Sequence, residues 1–353
     1  MGVLESVLEQ IGVLDEGAMA AAHARQARLT KPPGSLGRLE EIAVKVCGIQ
    51  GRAHPEVEES AIFVMAGDHG VVAQGVTAYP QAVTAQMIAN FAAGGAAINV
   101  LARCVGARVV IVDMGVAGES IRCGNVVCRK VAAGTQDLSR GAAMSREQAR
   151  QAVETGIEVF QAEMGKGLDL AGAGDMGIGN TTAAAAITAV FTGRTAAEVA
   201  GRGTGLDDAG LGRKIAVLER ALTVNRPDGR DALDVLAKVG GFEIGGLAGV
   251  MLAAAANRVP VLIDGAISGA AALVAAALSP RAKAFMIAGH LSTEPGHRAA
   301  LAHLGVEPLL DLRMRLGEGT GAALAMGLVV AAVRVLNEMA TFEEAGVSEA
   351  AEG

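Results

Sequence analysis

The chain has 353 residues, a net charge of −7 and a pI near 5.5, with no Lys/Arg-rich run, which argues against nucleic acid as a partner. Hydrophobic residues make up 51% but aromatic ones only 2%, so the core is built from Ala, Val, Leu, Ile and Met. That length allows one large domain plus a smaller one, and the 48 glycines show no G-X-Y period, which excludes collagen.

The N-terminus lacks a basic region followed by an apolar core, so no secretory signal is expected. Gly2 after Met1 is weak support for lipidation, and no membrane is expected as a partner. Residues 1 to about 60 read as helical. "DEGAMAAAHARQARLT" and "SLGRLEEIAVKVCGI" carry the pattern, the second placing Leu36, Leu39, Ile42, Ala43, Val46 and Ile49 on one face. "TKPPGSLG" breaks the helix between them.

From about 60 the texture changes to short apolar runs that each end in a Gly-rich polar turn. Six are candidate strands: "AIFVMAGDHG", "ARVVIVDMGV", "LDLAGAGDMGIGNTT", "VPVLIDGAISG", "AKAFMIAGHLSTEPGH" and "PLLDLRMRLGEGTG". Ala/Leu-rich stretches of helical period separate them, which predicts βαβ units and a parallel sheet covered by helices. Ligands in such sheets bind beyond the carboxyl ends of the strands, where the polar clusters fall. The longest apolar runs, such as 322–333, fall short of the ~18 residues of a membrane span. The acidic tail "TFEEAGVSEAAEG" is expected to fray.

Cys47, Cys104, Cys123 and Cys128 form no C-x-x-C and lack a zinc pattern, so they read as free thiols of a cytosolic protein. His290 and His297 flank Ser292 and Glu294 without an HExxH arrangement, so no metal is expected. Asp68 and His69 fit either a proton relay or strand-end hydrogen bonding. "GDMGIGNTT" offers Gly177 and Gly179 for close backbone approach, and Asn180, Thr181 and Thr182 as caps or phosphate donors. It is neither a P-loop nor a dinucleotide fingerprint, which disfavours a dehydrogenase. No nucleophile elbow is present, which disfavours acyl chemistry. Lys214 follows the loop "GRGTGLDD" as a candidate anion contact. "LGEGTG" resembles an anion loop at a helix start, yet holds its own carboxylate, Glu318. Phosphate-friendly loops plus two carboxylates, Glu318 and Asp175, suit transfer of a phosphorylated sugar.

Ten stretches in order, from "KPPGSLGRLE" (31–40) through "VTAQM" (83–87), "GDMGIGNTT" (174–182), "GGFEIGGLAG" (240–249) and "HLSTEPGH" (290–297) to "RLGEGTGAALA" (315–325), resemble the nicotinate-nucleotide–dimethylbenzimidazole phosphoribosyltransferases. The resemblance implies a Rossmann-like α/β fold. It places a parallel sheet covered by helices at 61–334, and a small helical domain at 1–60 joined by about 335–353. It implies that ribose phosphate passes from nicotinate mononucleotide to 5,6-dimethylbenzimidazole with inversion at C1′, in cobalamin nucleotide-loop synthesis. Glu318 is then the general base, and Asp175 stands where the family carries Glu. Gly177, Asn180, Thr181, Gly203, Gly265 and Ser292 form the phosphoribosyl cradle, with Lys214 on the nicotinate side. Tyr79, Gln86 and Leu316 line the benzimidazole pocket. No cofactor is implied, and a cytoplasmic homodimer is. Another acceptor base, or a non-catalytic nucleotide-binding role, stays open on the sequence. A dry site is expected around Glu318, kept ionised by the helix start that follows it.

Overall fold

The computed structural model describes residues 2–119 and 124–348, so Cys123 and the last five residues lie outside the description. Three helices open the chain: α1 (Val3–Gln10), α2 (Glu16–Arg28) and α3 (Arg38–Gln50). Asp15 caps α2 by accepting from the Ala18 amide at 2.8 Å. Then come β1 (Ser60–Gly67), α4 (Ala82–Ala92), α5 (Ala97–Cys104), β2 (Arg108–Gly115) and β3 (Val127–Cys128). A Ser145–Gln148 capping box starts α6 (Arg146–Met164), which leads to β4 (Leu170–Met176). Five helices follow: α7 (Asn180–Thr192), α8 (Ala196–Val199), α9 (Asp208–Asn225), α10 (Ala232–Val239) and α11 (Phe242–Ala256). The chain closes with β5 (Val261–Ile263), α12 (Ala266–Leu278), β6 (Met286–Ala288), α13 (Pro295–Leu304), α14 (Thr320–Glu338) and α15 (Phe342–Ala345).

The six strands form one sheet of order β3-β2-β1-β4-β5-β6, and each pairing is parallel. All eight residues of β1 are buried, as a strand covered on both faces requires. One face packs against α1, α6, α7, α11 and α12, and the other against α2 to α5 and α14. The order reverses between β1 and β4, which opens a crevice at their carboxyl ends.

The N-terminal helices divide between these faces. Leu4 and Val7 of α1 join the first core, whereas Ala22 of α2 and Val46 of α3 join the second. The chain ends meet: Leu29 pairs antiparallel with Thr341, and Arg25 donates to the carbonyls of Leu336, Asn337 and Met339.

Three expectations change. Residues 308–321 form no strand; a single parallel bridge, His290 with Leu310, marks an extended segment whose Arg313 turns to φ +57°. The sixth strand is instead β3, two residues long and invisible to any periodicity argument. The tail is ordered to 348, where a Thr341–Glu344 capping box starts α15. At 19 residues α14 also exceeds the apolar length read from the sequence, and it is long and apolar enough to cross a membrane. Here it packs against the sheet, with Ala322, Met326 and Val333 among its buried residues.

Candidate active site

A cleft of about 800 Å³ lies beyond the carboxyl ends of β4, β5 and β6. The β4–α7 turn, the loop after α8 and the segment leading into α14 supply most of its wall. Val83 and Met87 of α4 add an apolar side.

Glu318 sits on its wall in a turn of three left-handed residues. Gly317, Glu318 and Gly319 have φ of +84°, +62° and +89°. The conformation suits glycine and costs a Glu about 1 kcal/mol. Opposite, β4 leaves room for it: a Cβ on Gly174 would lie 2.5 Å from the Glu318 carbonyl oxygen. The Glu318 side chain is only 6% exposed, and its Oε2 has no hydrogen-bond partner. Burial raises its pKa above the ordinary glutamate value; the Ile98 amide, in the first turn of α5, pulls it back. The helix start that bears on Glu318 is therefore that of α5, not that of α14.

Two further carboxylates stand nearby, Asp175 on the wall itself and Asp264 behind it. Asp175, at the end of β4, is 5% exposed and accepts from Asn180 Nδ2 at 2.9 Å, while its Oδ1 has no partner. Burial first, then the charges of Asp264, Glu243 and Glu318, push its pKa well above the ordinary range. Burial and the neighbouring charges thus favour the protonated form of Asp175. Asp264, just after β5, is fully buried and pushed up to about 7 by burial, against three backbone amides that favour its charge. Deeper still, His69 Nε2 meets Glu243 Oε1 at 2.7 Å with both side chains fully buried. Burial alone would lower the His69 pKa, but the Glu243 charge and hydrogen bond outweigh it and the net shift is upward. Asp68 turns away to accept from the Ala117 amide at 2.8 Å, so Asp68 and His69 form no relay pair.

The remaining walls suit an anion. Lys214 Nζ donates to Thr181 Oγ1 at 2.8 Å and to the Gly201 carbonyl at 3.1 Å. Since Thr181 Oγ1 accepts from Lys214, its own hydrogen is free for the cleft that Thr181 lines. Glu294 Oε1 accepts from the Gly203 amide at 2.9 Å and fixes that loop. Arg315 lines the cleft and donates to the Gly203 carbonyl at 2.9 Å, with its remaining donors uncommitted to that bond. His297 Nδ1 accepts from the Ser292 amide at 3.0 Å, and burial lowers its pKa to about 3. That ring is neutral and occupied with Ser292; His290 instead faces Asp264 Oδ1 at 3.5 Å. The two ring centroids lie 6.0 Å apart, with the rings tilted by 53°.

Three comparisons with known proteins agree. A family model described as Phosphoribosyltransferase matches residues 11–347. The nicotinate-nucleotide–dimethylbenzimidazole phosphoribosyltransferase of Desulforudis audaxviator is 59% identical, covering 99% of each chain. That of Chloroflexus aggregans is 60% identical over the same shares. The crystal structure of CobT from Thermus thermophilus superposes with a TM-score of 0.91 at 48% identity, covering 95% of this chain and 100% of that one. The chain belongs to the nicotinate-nucleotide–dimethylbenzimidazole phosphoribosyltransferase family. It is a phosphoribosyltransferase, and its substrates are small molecules.

The cleft of this phosphoribosyltransferase brings together Glu318, Asp175, Gly177, Asn180, Thr181, Gly203, Gly265, Ser292, Tyr79 and Leu316. Two residues named from the sequence lie elsewhere. Gln86 is exposed on α4 and does not line the cleft. The buried stripe of α4 runs through Thr84, Ile88 and Phe91, so Val83 and Met87 fall at its border, and Gln86 points roughly 60° further toward solvent. Lys214, read as a direct anion contact, is fully buried behind Thr181 and does not line the cleft. Gly177 packs on the Gly67 carbonyl, so its lack of a side chain serves the fold as well as the cleft. Sequence reasoning missed Arg315, Glu243 and Asp264 as contributors, and weighed Glu294 only as a metal ligand. Arg315 opens the stretch "RLGEGTGAALA" without having been given a role, whereas Asp264 carries no local signal for its partners 55 to 58 residues away.

Proposed function

We propose that this enzyme transfers the 5-phosphoribosyl group from nicotinate mononucleotide to 5,6-dimethylbenzimidazole. The products are α-ribazole 5′-phosphate and nicotinate, in cobalamin nucleotide-loop synthesis. One benzimidazole nitrogen attacks C1′ while the C1′–N bond to nicotinate breaks, its electron pair leaving with the pyridine nitrogen. Attack from the face opposite the departing base inverts C1′. Glu318 takes the N–H proton from the other benzimidazole nitrogen. The observation that carries this reading is a buried, unpartnered Glu318 oxygen on the cleft wall, with a pKa moved toward that of an effective base.

Asp175, protonated, donates a hydrogen bond rather than accepting a proton. Gly177, Asn180, Thr181, Gly203, Gly265 and Ser292 receive the phosphoribosyl group, with Lys214 acting through Thr181 and Arg315 adding charge. Tyr79, Leu316, Val83 and Met87 flank the acceptor ring; Gln86 belongs to this set only as an outer contact. A cytoplasmic homodimer, no nucleic-acid or membrane partner, and a division into 1–60 with about 335–353 against 61–334 complete the proposal. Light scattering and limited proteolysis test the dimer and the division. The reaction itself is tested by chromatography of nicotinate mononucleotide and dimethylbenzimidazole incubated with enzyme. α-Ribazole 5′-phosphate and nicotinate in equal amounts are expected, and absence of both overturns the reading. Mixed-base competition decides whether a different benzimidazole or a purine is preferred.

A further inference from the structure

Asp264 is fully buried and does not line the cleft, yet it holds the segment that carries Glu318. Its Oδ1 accepts from the Gly321 amide at 2.7 Å and the Ala322 amide at 3.1 Å, and its Oδ2 accepts from the Gly319 amide at 3.2 Å. Those are the first free donors of α14, whose own N-cap residue, Gly319, supplies no side-chain cap. The left-handed run through Glu318 persists only where its surroundings over-determine it. Gly174 makes room on one side, and the three amides gathered by Asp264 pin the other.

We propose that Asp264 is a positioning residue: its carboxylate anchors the Gly317–Gly319 turn and so aims the Glu318 side chain at the acceptor. The proposal rests on Glu318 as the base. Asp264 also acts through charge. It faces His290 from the β6 side, Asp175 from β4 and Glu318 from the α14 turn, and its charge disfavours ionisation of Asp175. The Glu318 charge in turn disfavours ionisation of Asp264.

The test compares Asp264→Asn, Glu318→Gln and the double variant in steady-state assays across pH, with folding read by thermal melting. Asn keeps shape and one acceptor but sets an N–H₂ against a backbone N–H and removes the charge. For Asp264→Asn, kcat is expected to fall about 10- to 100-fold, as loss of a positioning contact does. KM for nicotinate mononucleotide should stay within about threefold, because the cradle residues other than Gly265 lie on other segments and Gly265 contributes only backbone. The acid limb of kcat should move to lower pH. The double variant should be no slower than Glu318→Gln, since both act through one group. Wild-type kcat in folded Asp264→Asn overturns the proposal. So does a lowered kcat with an unmoved acid limb, which marks a merely structural residue, or losses that multiply in the double variant. Wild-type turnover by Glu318→Gln overturns the base assignment itself, a separate failure. If Asp264→Asn does not fold, the wild-type enzyme decides. The ¹⁵N shifts of Gly319 and Gly321 should titrate with the same midpoint as kcat; kcat that persists after those shifts have moved overturns the proposal.

Discussion

Lys214 Nζ and Thr181 Oγ1 lie 2.8 Å apart, the lysine fully buried and the threonine on the cleft wall. The pair fixes which way the threonine hydroxyl donates. Burial lowers the Lys214 pKa to about 8, with the Glu294 charge opposing. Lys214→Met is therefore expected to raise KM for nicotinate mononucleotide about tenfold, the effect of one charge-assisted hydrogen bond. In the wild type that KM should begin to climb above pH 8, and in the variant the climb should be absent. The folded-state pKa of this base lies below its unfolded value near ~10.4. The folded chain thus releases a proton between about pH 8 and 10 that the unfolded chain keeps, and stability gains with rising pH across that window. Denaturant melts at pH 8 and 10 should show the gain in the wild type and a smaller one in Lys214→Met.

Asp175 and Glu318 should respond differently to loss of charge. A carboxyl that already holds its proton is mimicked by an amide, so Asp175→Asn should keep kcat within about fivefold. Glu318→Gln removes the proton acceptor and should lose on the order of 10²- to 10⁴-fold. Parallel initial-rate assays at pH 7 decide. Equal, large losses in both variants would sink the assignment of a neutral Asp175.

Glu318→Gly should make a more stable and inactive protein. It relieves a left-handed glutamate and removes a buried, unpartnered carboxylate oxygen. A gain of about 1 kcal/mol is expected, or roughly 2 °C in Tm. Calorimetry showing a lower Tm would mean that the Ile98 amide contact outweighs the strain.

Arg315 is the one Lys or Arg side chain among the described residues lining the cleft. Arg315→Met should raise KM for nicotinate mononucleotide about tenfold, and the wild-type KM should rise with salt, as an exposed anion contact requires. A salt-independent KM unchanged by the substitution would remove Arg315 from the substrate site.

Much of this architecture was legible because its elements are locally determined. β1 and β2 announce themselves as apolar runs, and the turn after β4 by its glycines. The segment before α14 misled because "PLLDLRMRL" alternates like a strand, yet its charges stay exposed and Arg313 turns left-handed. The site was legible where one motif supplies both backbone and side chain, as in "GDMGIGNTT". It was not where two distant segments meet. His69 and Glu243 are 174 positions apart, and either alone is an ordinary polar residue. Lys214 shows the remaining limit: whether a cation is buried depends on what packs over it.

The two ends of α14 are each held by a distant side chain, Asp264 at the first turn and Arg25 at the last carbonyls. Arg25 is made 311 residues before Leu336, the first carbonyl it grips. On the ribosome, then, the N-terminal helices and the six described strands are made before the turn that bears Glu318 and the helix that follows it. A nascent chain that stops short of Glu318 has the sheet, the β4–α7 turn and most of the cleft wall, but lacks the proposed base. Catalytic competence thus waits on a late turn, whose helix is clasped by a residue made 311 positions before the first carbonyl it grips.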